Sequence, residues 1–133
     1  MAPHQFVDDP TVSNDSSLWR RIPPWHFVMD ENLGRIRPSS AAFDDDEMSV
    51  VLAAELHASG RVAEDVLSGY SEFAIASITA GLARSKQQLV VRDPIVDEPA
   101  HALVCGKKTS AVKKAFSRES LWVLLPPQLD PPC

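Results

Sequence analysis

Two prolines limit what residues 88–106 can become. Pro94 and Pro99 bracket a run that holds Asp97 and Glu98, Asp93 stands just before it, and apolar residues lie on both sides: Leu89-Val90-Val91 before and Ala102-Leu103-Val104 after. Proline lacks a backbone N–H and its ring clashes with the preceding helical turn, so no helix crosses this segment. The flanking runs are short and valine-containing, as strands are. The pattern predicts a rigid turn over 93–99 that joins a strand at 88–92 to a returning strand at 100–105. Such a pair is the unit of an antiparallel sheet.

Other segments fit the same plan. Leu18-Trp19-Arg20-Arg21-Ile22 reads as a short strand ended by Pro23-Pro24, and 25–29 as a second extended piece. Asp30-Glu31-Asn32-Leu33-Gly34 reads as a turn closed by glycine. Residues 48–57 begin strand-like and end alanine-rich and helical, and 61–67 form a short helix stopped by Ser68-Gly69. The stretch 71–85 is ambiguous. Ile75, Ile78 and Leu82 share a helical face, whereas Phe73, Ile75, Ser77 and Thr79 share a strand face; strand is preferred. Residues 107–117 give the clearest helix, with Val112 and Phe116 one turn apart and Lys113 and Lys114 outward. Leu121-Trp122-Val123-Leu124-Leu125 reads as a buried final strand. The expected fold class is α+β: one domain, a mostly antiparallel sheet and two or three helices. Residues 1–16 are expected to be a disordered N-terminal segment and 127–133 a Pro-rich tail. The domain then spans 17–126, and either end should be removable without unfolding it.

At 133 residues the chain has room for one core. No apolar run approaches the ~20 residues of a membrane span. The N-terminus has neither the cationic start nor the apolar run of a secretory signal. Two cysteines, Cys105 and Cys133, make no disulfide framework. A cytoplasmic protein without membrane association is expected. The net charge of −5 is unevenly spread: residues 1–72 hold 13 acidic against 5 basic side chains, and every lysine lies between 86 and 114. Such asymmetry suits an anion-facing side, or two halves that complement each other. Lys107, Lys108, Lys113, Lys114 and Arg118 could contact phosphates. Overall acidity and the lack of aromatic residues among them argue against nucleic acid.

No complete catalytic set is present. The chain lacks Cys-x-x-Cys, His-Glu-x-x-His, a Gly-x-Ser-x-Gly elbow and a phosphate-binding glycine loop. His101 and Cys105 would share a strand face, a possible metal pair that stays short of a site. Asp44-Asp45-Asp46-Glu47 lacks the spacing and central glycine of a calcium loop. No metal or cofactor is expected. The candidate ligand-binding residues are Arg35, Arg37, Ser39, Ser40, Asp97 and His101. If their two proline-containing segments met, the arginines beside the histidine would form an anion pocket suited to acid–base work. The same residues also serve as turn and cap elements.

The chain order Arg20 (or Arg21), Ser39, Glu119 resembles the Arg–Ser–Glu arrangement of one class of ADP-ribosyltransferases. That resemblance implies phosphate contacts for the arginine, support of a nicotinamide pocket by the serine and ribose orientation by the glutamate. The family's Ser-Thr-Ser run and its Glu-x-Glu or Gln-x-Glu pair are not in the chain. Over most of 18–125 the chain also resembles short uncharacterised bacterial proteins with Pro-Ser-Ser and Pro-Ala-His segments, which implies no function. The leading expectation is a small partner-binding or accessory protein with a protein partner. The alternative is a small enzyme acting on a nucleotide, dinucleotide or phosphorylated ligand.

Overall fold

Strand alternation organises the computed structural model, which describes residues 6–126. In chain order the elements are β1 (Ser17–Ile22), β2 (Phe27–Asp30), β3 (Arg35–Pro38), β4 (Glu47–Leu52), α1 (Ala53–Ala58), α2 (Ala63–Val66) and β5 (Ala74–Thr79). They continue with α3 (Ala80–Ser85), β6 (Leu89–Arg92), β7 (His101–Cys105), α4 (Ser110–Glu119) and β8 (Leu121–Leu124). Short 3-10 turns at Pro24–His26 and Ser40–Phe43 precede β2 and β4. Six strands make one antiparallel sheet in the order β6-β7-β4-β1-β5-β8, and β2 pairs with β3 as a separate hairpin. Gly34, at φ +68°, closes that hairpin's turn in a conformation other residues rarely adopt.

Each face of the sheet has its own apolar layer. Leu18, Ile22, Met48, Val50, Ile78 and Val104 share one face with Phe43, Val112 and Phe116 from the 3-10 turn and α4. Trp19, Val51 and Ile75 share the other with Leu56 of α1 and Val66 of α2. The α+β class is therefore as expected, with four α-helices among the described residues rather than two or three. The β6–β7 hairpin pairs Val90 with Val104 and Arg92 with Ala102. The ambiguous stretch 71–85 divides: β5 runs to Thr79, whose hydroxyl accepts from the Leu82 N–H and starts α3. Both periods were present because the stretch is two elements.

Three expectations change. First, packing begins before residue 17. Val12 is buried, the Asp9 N–H donates to Val90 O at 2.8 Å, and Asp8 accepts from the Val90 N–H and from Arg84. This segment has no regular structure, so periodicity could not reveal it; residues 1–5 and the expected tail 127–133 lie outside the described residues. Second, β8 is an edge strand, and Leu121 is 66% exposed. Third, Lys108 does not belong to the helix expected over 107–117, which starts at Ser110. It is buried ahead of α4, and its ammonium donates to Val104 O and Gly106 O at 2.9 and 3.1 Å. Burial lowers its pKa. Gly106 has φ +145°, a conformation that other residues rarely adopt, and a Cβ there would press on the Gln88 amide at 2.8 Å.

Candidate interaction site

Most of the candidate residues anticipated from the sequence hold the fold together. Arg37 donates to the Asp30 carboxylate at 2.7 Å, to Pro38 O at 3.2 Å and to the Ser117 hydroxyl. Ser117 in turn donates to Pro38 O at 2.5 Å, so the β2–β3 hairpin is tied to α4. These bonds hold the Asp30 carboxyl below the usual range, Arg37 being the largest cause. Arg35 donates to Arg118 O at 3.1 Å. Ser39 lends its N–H to His26 O at 2.7 Å, and Ser40 opens the 3-10 turn. The hydroxyl of Ser39 and Nδ1 of His26 are both occluded and have no partner among the described residues. Burial first, then Arg20, lowers the His26 pKa.

The other proline-containing segment lies elsewhere. His101 Nδ1 contacts Asp93 O at 2.9 Å within the β6–β7 hairpin, and Asp97 is exposed in the connecting turn. No hydrogen bond or ion pair among the described residues joins Arg35, Arg37 or Ser39 to Asp97 or His101. Sheet order explains the separation. The β2–β3 hairpin rests on β8, where the Trp122 indole donates to Ile36 O at 3.0 Å. β7 is four strands away, about 19 Å at ~4.8 Å per strand. His101 borders a cavity of about 40 Å³ beside Trp19, Arg20 and Arg21. That is room for about one water molecule.

The three positions that resemble the transferase arrangement are also dispersed. Arg20 is on the core side of β1, where its Nε and Nη1 donate to Ala42 O and Ser49 O at 3.1 and 2.9 Å. Burial lowers its pKa. Glu119 is exposed at the end of α4 and borders a separate cavity of about 300 Å³ with Ser77 and Leu121. Among the described residues no group of three or more His, Cys, Asp and Glu could hold a metal ion. None of the helices there is long and apolar enough to cross a membrane.

A surface the sequence did not single out lies at one end of the sheet. Pro23-Pro24 stop β1 and turn Trp25 outward, leaving it 74% exposed. The loop before β5 brings Phe73 edge-on to Trp25 at 5.9 Å, and Tyr70 edge-on to Phe73 at 5.3 Å. Arg21 stacks over the Tyr70 ring at 4.0 Å while Nη1 donates to Val66 O at 3.0 Å. Trp25 also meets the His26 ring edge-on at 6.2 Å. Three of the chain's nine aromatic residues thus converge on one exposed surface. A signal existed: each stands in a turn-rich polar setting, after Pro-Pro or within Ser-Gly-Tyr-Ser-Glu-Phe, rather than in an apolar run.

No family model, curated protein or solved structure matches the chain.

A second polar feature neighbours α1. Arg61 binds Glu98 through two bonds, at 2.6 and 2.9 Å, and this pair borders a cavity of about 420 Å³. Arg61 is the main cause that holds the Glu98 carboxyl below its ordinary range. A carboxyl lowered by folding contributes stability above its unfolded pKa and loses it as pH falls through the folded value. Glu98→Gln should therefore be less stable than the parent at neutral pH. The gap should narrow in acid, as the pH falls below the ordinary carboxylate range. Denaturant unfolding at neutral and acid pH checks this; an equal gap at both would show that the pair does not titrate in that window.

Proposed function

We propose that this protein is a partner-binding module whose contact surface is the Trp25–Phe73–Tyr70 cluster. The observation that carries the reading is that Trp25 is largely exposed yet braced by ring contacts on a cluster that Arg21 fixes. Rigid aromatic side chains lose little conformational entropy on binding and are the commonest anchors of protein interfaces. The partner is another protein that offers an apolar pocket or groove to the Trp25 ring. The guanidiniums of Arg20, Arg21 and Arg37 already donate to protein acceptors, which gives the small-anion alternative no support.

Affinity capture from the source lysate, compared between the parent and Trp25→Ala, tests the proposal. An anchor of this kind is worth about 2 kcal/mol or more, roughly a 30-fold loss of affinity. The variant should keep the parent's melting temperature, because the ring is mostly in water. Partners retained by the parent and lost by the variant support the reading. Identical retention by both, or a nucleotide that stabilises the parent while no protein is retained, removes it.

A further inference from the structure

The two outer edges of the sheet are treated differently by the chain. The β6 edge is occupied: the Asp9 N–H donates to Val90 O, the Asp8 carboxylate accepts from the Val90 N–H, and Arg92 reaches Asp9 and Thr11. The β2–β3 hairpin meets β8 through the Trp122 side chain, but among the described residues no segment hydrogen-bonds to the backbone of its outer edge. Among the described residues β8 pairs with β5 alone, and no other backbone hydrogen bond reaches it. Residues 121–125, Leu-Trp-Val-Leu-Leu, hold no charge, a usual guard of an open edge, and the first proline is Pro126, after the strand. Leu121 and Leu125 are 66% and 59% exposed at the two ends of the run. The register shift lies on the inner side of β8, opposite Ile75 and Ala76.

We propose that this edge joins two copies of the chain, β8 against β8, antiparallel about a two-fold axis. The charges flanking the strand favour a second copy over another partner. At its start stand Arg35 and Arg118, with Glu119 beside them. Toward its end stands exposed Glu72, three residues before the Ile75 that pairs with Leu124, and α2, the helix that packs on β8, carries exposed Glu64. Antiparallel self-pairing sets the arginines of each copy against the glutamates of the other, twice. It also brings Leu121 of each copy toward Leu125 of its partner, a cross-strand apolar pair. The union makes one continuous sheet. This inference does not depend on the partner-binding reading.

Sedimentation equilibrium of the purified chain over micromolar to submillimolar concentration tests it. The expected species has twice the 14.6 kDa chain mass. Leu121→Lys and Leu125→Lys, each at an exposed position, should give folded monomers by circular dichroism. Arg118→Glu should weaken the dimer about tenfold, the size of an interfacial charge contact. Adding Glu72→Lys to it should restore association, whereas Trp25→Ala should leave association unchanged. A parent chain that stays monomeric throughout overturns the proposal. So does a dimer that both lysine variants leave intact, or one that the paired charge reversal fails to restore.

Discussion

Phe116→Ala is expected to lower stability by about 3–5 kcal/mol, the range for removing a fully buried phenylalanine. Phe116 has no solvent exposure and meets the equally buried Phe43 edge-on at 5.8 Å. One ring comes from α4 and the other from the 3-10 turn before β4, and both share the layer that holds Leu18, Met48 and Val50 of the sheet. Truncation therefore opens a cavity at the junction of three elements. Collapse to fill it would move α4, which Arg37 and Ser117 tie to the β2–β3 hairpin. Chemical denaturation of the variant beside Lys114→Ala provides the check. Lys114 is exposed on the same helix, and its replacement should change stability by less than about 0.5 kcal/mol. Equal midpoints for the two variants would mean that α4 does not pack as described.

The elements that were legible in the sequence are those whose signal is periodic. Val112 and Phe116 mark the buried stripe of α4 one turn apart, and Pro94 and Pro99 leave a tight β6–β7 connection as the only use of their segment. What stayed illegible depends on partners distant in sequence. Leu121 to Leu125 looks like a buried strand, because composition registers apolarity and not whether a neighbour lies on both sides. Only the sheet order makes it an edge. The two proline-containing segments are equally rich in functional residue types, yet one lies in the separate hairpin beside β8 and the other joins β6 to β7 on the far side of the sheet. Arg37 is used on Asp30 and Ser117, and His101 on Asp93. The aromatic surface is formed by residues 25, 70 and 73, brought together because β1 ends where β5 begins. No local pattern encodes that meeting, although the turn-rich setting of each ring hints at exposure.

The N-terminal segment provides the second large effect. Deleting residues 1–16 should destabilise the protein by roughly 3–6 kcal/mol, from the burial of one valine and the loss of several partly buried bonds. Val12 is 2% exposed and belongs to the same apolar layer as Leu18 and Val90. Its removal uncovers that layer beside β6. The deletion also strips Asp8 and Asn14 from Arg84, and Asp9 from Arg92. The Val90 N–H and carbonyl lose their partners, and Gly81 loses the Asn14 carbonyl. Point substitutions separate these effects. Asp8→Ala alone removes one ion pair and one backbone cap, and should cost less than half as much as the full deletion. Val12→Ala should account for much of the remainder. Thermal unfolding of the three variants gives the order. If the full deletion melts with the parent, the segment covers β6 without stabilising it, and the domain starts at β1 as composition alone suggests.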